Sequence, residues 1–148
     1  MYLYETHLAV ADTESSKDFY INVVGLTFGY RDTGRDIVFL WAGPDRKSML
    51  GLWGPGTTYG TATQKSHLAF AVSLPELLAV GARLKEAGVR VTNFDGEETV
   101  EPSVIGWMPS AQLYFHDPDD HTLEFISLLD DAPERTFVGS LSAWRNRA

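Results

Sequence analysis

Six residues of alternating polarity open the chain, and the same pattern returns in its middle. Thr6-His7-Leu8-Ala9-Val10-Ala11 is matched by Ser66-His67-Leu68-Ala69-Phe70-Ala71, with the histidines 60 positions apart. Such alternation suits a strand, whose side chains point to opposite faces in turn. The period then changes to that of a helix in both places. After the first hexapeptide, Asp12 or Thr13 can cap a helix carrying Phe19, Tyr20, Val23 and Val24, with Gly25 as its stop. After the second, Ser73-x-x-Glu76 reads as a capping box, Leu77, Val80 and Leu84 form the apolar stripe, and Gly88 ends it.

Strand-like residues follow each helix, at Leu26–Tyr30 and Val89–Phe94. The first half turns near Asp32–Arg35 and runs through Ile37–Trp41, whereas the second makes a longer excursion, from about 95 to 110, before Gln112–Phe115. Further turns at Gly43–Arg46 and Asp117–Asp120 lead into Ser48–Trp53 and Thr122–Leu128. Each half therefore reads β-α-β-β-β. The pattern predicts an α+β fold: two tandem βαβββ modules in a single domain, 1–148. Module 1 is expected at about 3–53, a Gly/Thr-rich linker at 54–65, module 2 at about 66–129 and a C-terminal tail at 130–148. A sheet with one helix leaves a face bare. Two such modules can cover each other, their mixed sheets curling around a central ligand cleft.

Composition narrows the chemistry. The 148 residues contain no cysteine, which excludes disulfides, a thiolate nucleophile and a Cys-type zinc site. Any metal must be held by nitrogen and oxygen. The net charge of −8 and the lack of a Lys/Arg cluster argue against nucleic acid. The start, MYLYETHLAV, lacks the basic and apolar regions of a signal peptide, and no run approaches the length of a membrane span. A soluble, cytoplasmic protein is expected. No nucleophilic Ser/His/Asp arrangement and no phosphate-binding glycine loop is present.

Strand parity points to a cleft. His7 shares its face with Ala9, and His67 with Ala69 and Ala71; these small neighbours leave room for a ligand. Leu8 and Val10, then Leu68, Phe70 and Val72, take the opposite face and suit packing under the helices. Glu124 shares its face with Ile126. A lone carboxylate inside Leu123-Glu124-Phe125-Ile126 is costly to bury without a partner. Either histidine alone is better explained as a core residue bonded to a backbone carbonyl. Their repetition, together with Glu124, favours a metal.

These motifs resemble the vicinal-oxygen-chelate superfamily of glyoxalase I, fosfomycin-resistance enzymes, extradiol dioxygenases, methylmalonyl-CoA epimerase and metal-free bleomycin-binding proteins. The resemblance rests on His7-Leu8-Ala9-Val10 with Phe19-Tyr20 and Gly25-Leu26, on His67-Leu68-Ala69-Phe70, and on Phe115-His116-Asp117-Pro118-Asp119-Asp120-His121-Thr122-Leu123-Glu124-Phe125. It covers roughly residues 3–129. Asp120 stands where the family usually has glycine; aspartate tolerates the left-handed conformation better than most residues. The resemblance implies metal ligands on the first and last strands of each module, here His7, His67 and Glu124. Superposing Pro44-Asp45 on Pro118-Asp119 without gaps puts Leu50 opposite Glu124, so the fourth ligand is absent and Leu50 is expected to wall the same cleft.

Two histidines and one carboxylate with open positions suit Fe(II), and equally Mn, Zn, Ni or Co. The expected pocket residues are Ala9, Leu50, Ala69, Trp107 and Ile126, with Trp107 chosen because it lies in the long excursion. Trp41, Trp53 and Tyr59 read as core or edge packing rather than pocket lining, and His116 and His121, beside a turn, as exposed polar residues. No general acid or base stands out. The resemblance implies a metal-dependent enzyme acting on a small oxygenated substrate chelated through the ion: a lyase or isomerase, dioxygenase or transferase. The alternative is a non-catalytic small-molecule or antibiotic-binding protein of the bleomycin-resistance kind. Small relatives of this length imply a homodimer with metal sites shared between chains. The tail, with Phe137, Leu141 and Trp144, could strap a partner chain or cover its own module.

Overall fold

The computed structural model describes residues 2–61 and 64–147. Residues 62 and 63 of the expected linker thus lie outside the described residues. The chain divides into two compact units. One comprises Met1–Ser66 with Asp117–Asp120, the other His67–His116 with His121–Ala148. The class is α+β, with two mixed sheets of four and five strands.

The first unit begins with β1 (Glu5–Ala9) and α1 (Thr13–Phe19). Asp12 caps α1 by accepting a 2.6 Å hydrogen bond from the Ser15 amide. The helix then widens into one π-turn, Tyr20–Val24, closed by Gly25 at φ 95°. Both Gly25 and Leu26 amides bond to the Tyr20 carbonyl. Tyr20 and Val24 are thereby buried, and the Tyr20 hydroxyl donates to Asp117 at 2.7 Å. Strands β2 (Thr27–Asp32), β3 (Ile37–Ala42) and β4 (Ser48–Trp53) complete the sheet in the order β1-β4-β3-β2, with β1 parallel to β4.

The second unit has β5 (His67–Ala71), then α2 (Leu74–Glu86) behind the expected capping box of Ser73 and Glu76. Leu77, Val80 and Leu84 are buried, and Gly88 has φ 75°. Strands β6 (Ser103–Ile105), β7 (Ser110–His116), β8 (Thr122–Leu128) and β9 (Val138–Ser140) give the order β5-β8-β7-β6-β9.

The strand expected after α2 needs correction. Val89–Phe94 forms no ladder. Thr92 alone exchanges two backbone hydrogen bonds with Tyr114, because β6, inside the long excursion, takes the edge of β7 instead. The tail contributes to its own sheet: β9 pairs with β6, and α3 (Leu141–Arg145) buries Trp144 against Phe137, ring centroids 4.9 Å apart. Gly106 makes this docking possible, since a Cβ there would lie 3.0 Å from Trp144 and 2.3 Å from the Glu134 carbonyl oxygen.

The DPD turn holds as expected. Asp120 adopts φ 66°, and the Asp119 and Asp120 amides bond back to Asp117. His121, expected to be exposed, is buried at 3 %.

Candidate metal and ligand site

In the second unit, β5 and β8 run parallel, so that Ala69 pairs with Glu124 and His67 with Thr122. His67, Ala69, Ala71, Glu124 and Ile126 share one face, while Leu123 and Phe125 are buried on the other with α2. His67 Nε2 lies 2.9 Å from Glu124 Oε2. The carboxylate is only 7 % exposed, and the imidazole is the polar partner that makes its burial tolerable.

Tyr114, directly across from Glu124 on β7, was not singled out in the sequence. Burial, followed by the Glu124 carboxylate, pushes its phenol up to about 12, against an opposing effect of the Gln112 amide. Gln112 and Ser110 stand on the same face of β7 and have no exposed surface. Gln112 is near enough to act on the Tyr114 phenol. Even so, neither its oxygen nor its nitrogen meets hydrogen-bond geometry with any described residue, and the same holds for Ser110 Oγ. Three buried polar atoms on this face thus lack partners among the described residues. Such atoms ordinarily find water or a ligand.

In the first unit, His7 pairs with Gly51 across the β1–β4 ladder, and Gly51 with Phe39. A Cβ on Gly51 would come within 2.7 Å of His7 Cδ2, so the ring occupies space that only glycine leaves. Trp53 and Tyr59 flank the imidazole with centroids at 4.8 and 5.3 Å. His7 Nε2 lies 2.8 Å from Glu5 Oε1, two residues back on the same strand face.

The ladder corrects the expectation for Leu50. Leu50 pairs with Thr6 and Leu40, on the face opposite His7, and is 2 % exposed within the core under α1. The two β-hairpins do have equal loops, because Ala42–Ser48 and His116–Thr122 pair alike. The parallel partner is set three residues differently, however: His7 meets Gly51, where His67 meets Thr122. An odd offset turns every side chain to the other face. The position equivalent to Glu124 is Trp53, which pairs with Ala9 as Glu124 pairs with Ala69. Ala9, Ala69 and Ile126 keep the faces expected of them. Trp107, in the turn between β6 and β7, is 61 % exposed.

Among the described residues, no three His, Asp or Glu side chains gather closely enough to hold an ion. Their chemistry nonetheless fits one. Imidazole and carboxylate suit divalent first-row metals. Two ligands about 2.1 Å from an ion and at right angles lie about 3.0 Å apart. The pairs at 2.8 and 2.9 Å match that spacing as well as they match a hydrogen bond. His67 and Glu124 come together within one unit, whereas His7 belongs to the other.

Known proteins resemble this chain closely in fold. An integron cassette protein from the mobile metagenome of the Halifax Harbour sewage outfall is 30% identical, with TM-score 0.69, over 86% of this chain and 98% of that one. Lactoylglutathione lyase from Agrobacterium tumefaciens is 21% identical, with TM-score 0.65, over 85% and 92%. TnmS3, an antibiotic binding protein from Streptomyces sp. CB03234, is 24% identical, with TM-score 0.62, over 87% and 97%. No curated protein matches the chain significantly. The sequence profile of one family covers residues 3–125. With that profile spanning most of the sequence, the chain belongs to the Glyoxalase/Bleomycin resistance protein/Dioxygenase superfamily.

Proposed function

We propose that the protein is a metal-dependent enzyme acting on a small oxygenated substrate, with His7, His67 and Glu124 as metal ligands. The observation that supports this most is the His67–Glu124 pair at 2.9 Å on adjacent strands, together with a second strand histidine at the matching place in the other unit. A bound divalent ion would polarise a substrate oxygen and make a coordinated hydroxyl more acidic.

The chain's own residues would do the rest. Tyr114, protonated at neutral pH as any phenol is, faces Glu124 across the β7–β8 ladder and can steady that carboxylate. Ala69 and Ala71 leave space over the β5 strand, and Ile126 gives the same face an apolar edge. The buried amide of Gln112, without a hydrogen-bond partner among the described residues, offers a donor and an acceptor side by side to a polar group of the substrate. We further propose that the protein acts as a homodimer in which two chains share their metal sites.

The test is metal analysis of untagged protein, followed by turnover assays with and without a chelator on vicinal-oxygen substrates such as hemithioacetals and catechols. Near-stoichiometric metal and chelator-sensitive turnover support the enzyme. A metal-free protein that still binds aromatic antibiotics stoichiometrically would sink it and leave the non-catalytic binding protein.

A further inference from the structure

The first unit offers more than one ligand. Glu5 and His7 are two apart on β1, a spacing that puts both side chains on one face of a strand. Their contact, Glu5 Oε1 to His7 Nε2 at 2.8 Å, repeats the Glu124–His67 contact at 2.9 Å, and it is the same ring nitrogen in both. No lysine or arginine among the described residues pairs with Glu5; its ion-pair partner is His7.

The fourth-strand position where Glu124 sits in the second unit carries Trp53 in the first. An indole cannot bind a divalent ion, and this ring lies against His7 instead. Trp53 and Tyr59 flank the imidazole, and Gly51 provides the space for its ring. A ring braced in this way points Nε2 at Glu5, and rigid support of this kind is what a metal ligand needs.

We propose that Glu5 is a metal ligand beside His7, so that the carboxylate of the first unit is supplied from β1 rather than from β4. The site would then hold two histidines and two carboxylates, Glu5, His7, His67 and Glu124, in place of a three-ligand set. One more carboxylate leaves fewer open positions for substrate and favours ions that accept six-coordinate oxygen-rich shells, such as Mn²⁺, Fe²⁺, Co²⁺ and Ni²⁺. The inference rests on the proposed metal site at His7.

Glu5→Gln separates ligand from mere orienter. The amide oxygen can still accept a hydrogen bond from His7, but it is neutral and a far poorer ligand. With full-length protein freed of metal and titrated with Mn²⁺ by calorimetry, Glu5→Gln should bind at least 30-fold more weakly than wild type. With Co²⁺, the visible absorption of the variant should change in shape and intensity. A crystal of the Mn²⁺-loaded protein should place a Glu5 carboxylate oxygen within about 2.3 Å of the ion. Glu5 is partly exposed, so thermal unfolding of the variant should match wild type and rule out misfolding as the cause. If Glu5→Gln binds Mn²⁺ within twofold of wild type while His7→Ala loses it, the Glu5 inference is overturned and the His7 site stands. If wild type itself binds neither Mn²⁺ nor Co²⁺, both fall.

Discussion

Trp53 in the first sheet and Glu124 in the second hold the same register position: each pairs, across a parallel ladder, with the alanine two residues past a strand histidine. Each then contacts that histidine, one through a ring face and the other through a carboxylate. The same register thus presents an apolar brace in one unit and a charged group in the other.

The brace can be tested by substitution. Trp53 is buried, and its indole nitrogen has no hydrogen-bond partner among the described residues. Trp53→Phe keeps an aromatic ring beside His7 and removes the unsatisfied donor, so it should cost no more than about 1 kcal/mol. Trp53→Ala should cost about 3–5 kcal/mol by leaving a cavity. Urea denaturation measures both. Equal losses in the two variants would mean that the indole N–H bonds to something.

Gly51 should be intolerant of any side chain. The added methyl of Gly51→Ala would stand 2.7 Å from His7 Cδ2 and 3.0 Å from Trp53 Nε1, so the imidazole must swing away. Overpacking of this sort costs about 1–3 kcal/mol. The expected outcome is a moderate fall in melting temperature with a larger fall, tenfold or more, in metal affinity by calorimetry. Unchanged affinity would show that the position of His7 is irrelevant to the ion.

Tyr20 makes the fold sensitive to alkali. Burial first, then the carboxylates of Asp117 and Asp119, raise its phenol far above the ordinary 10.0. The unfolded chain ionises near that ordinary value while the folded chain keeps the proton. The stabilisation is therefore fully present below about pH 10 and is lost as pH rises beyond it, by about 1.4 kcal/mol per pH unit from this group. Urea midpoints measured between pH 8 and pH 11.5 should fall above pH 10, and the slope should be shallower in Tyr20→Phe. Parallel slopes for the two proteins would remove Tyr20 from the account.

What the sequence disclosed follows from what is local. The hexapeptide repeat, the Ser73–Glu76 capping box, Gly25, Gly88 and the DPD turn are written in neighbouring residues, and the structure carries each of them. The π-turn at Tyr20–Val24 escaped notice because its cause is distant, a tyrosine hydroxyl reaching an aspartate 97 residues away. Leu50 was misplaced for a related reason. Equal hairpin loops suggest equal registers, but a parallel partner is set by the whole sheet, and a three-residue difference reverses the face. The Glu5-x-His7 spacing was legible as two groups on one strand face. The repeat does not mark it, since Lys65 stands at the matching place ahead of His67.

Each unit carries a histidine on its first strand, so the sharing of metal sites between chains can be read by complementation. If one site takes His7 from one chain and His67 with Glu124 from another, a two-fold dimer has two equivalent sites. His7→Ala spoils the contribution of the first unit at both, and His67→Ala spoils that of the second. A heterodimer of these variants combines both defects at one site. The other site receives His7 from the His67→Ala chain and His67 from the His7→Ala chain, and is whole. Co-refolding the two variants with distinguishable tags and isolating the heterodimer should therefore recover one ion per dimer, half the wild-type content, while neither homodimer binds. If each site is built within one chain, every chain of the mixture remains defective and no metal returns. Sedimentation as a monomer at micromolar concentration would also rule out sharing.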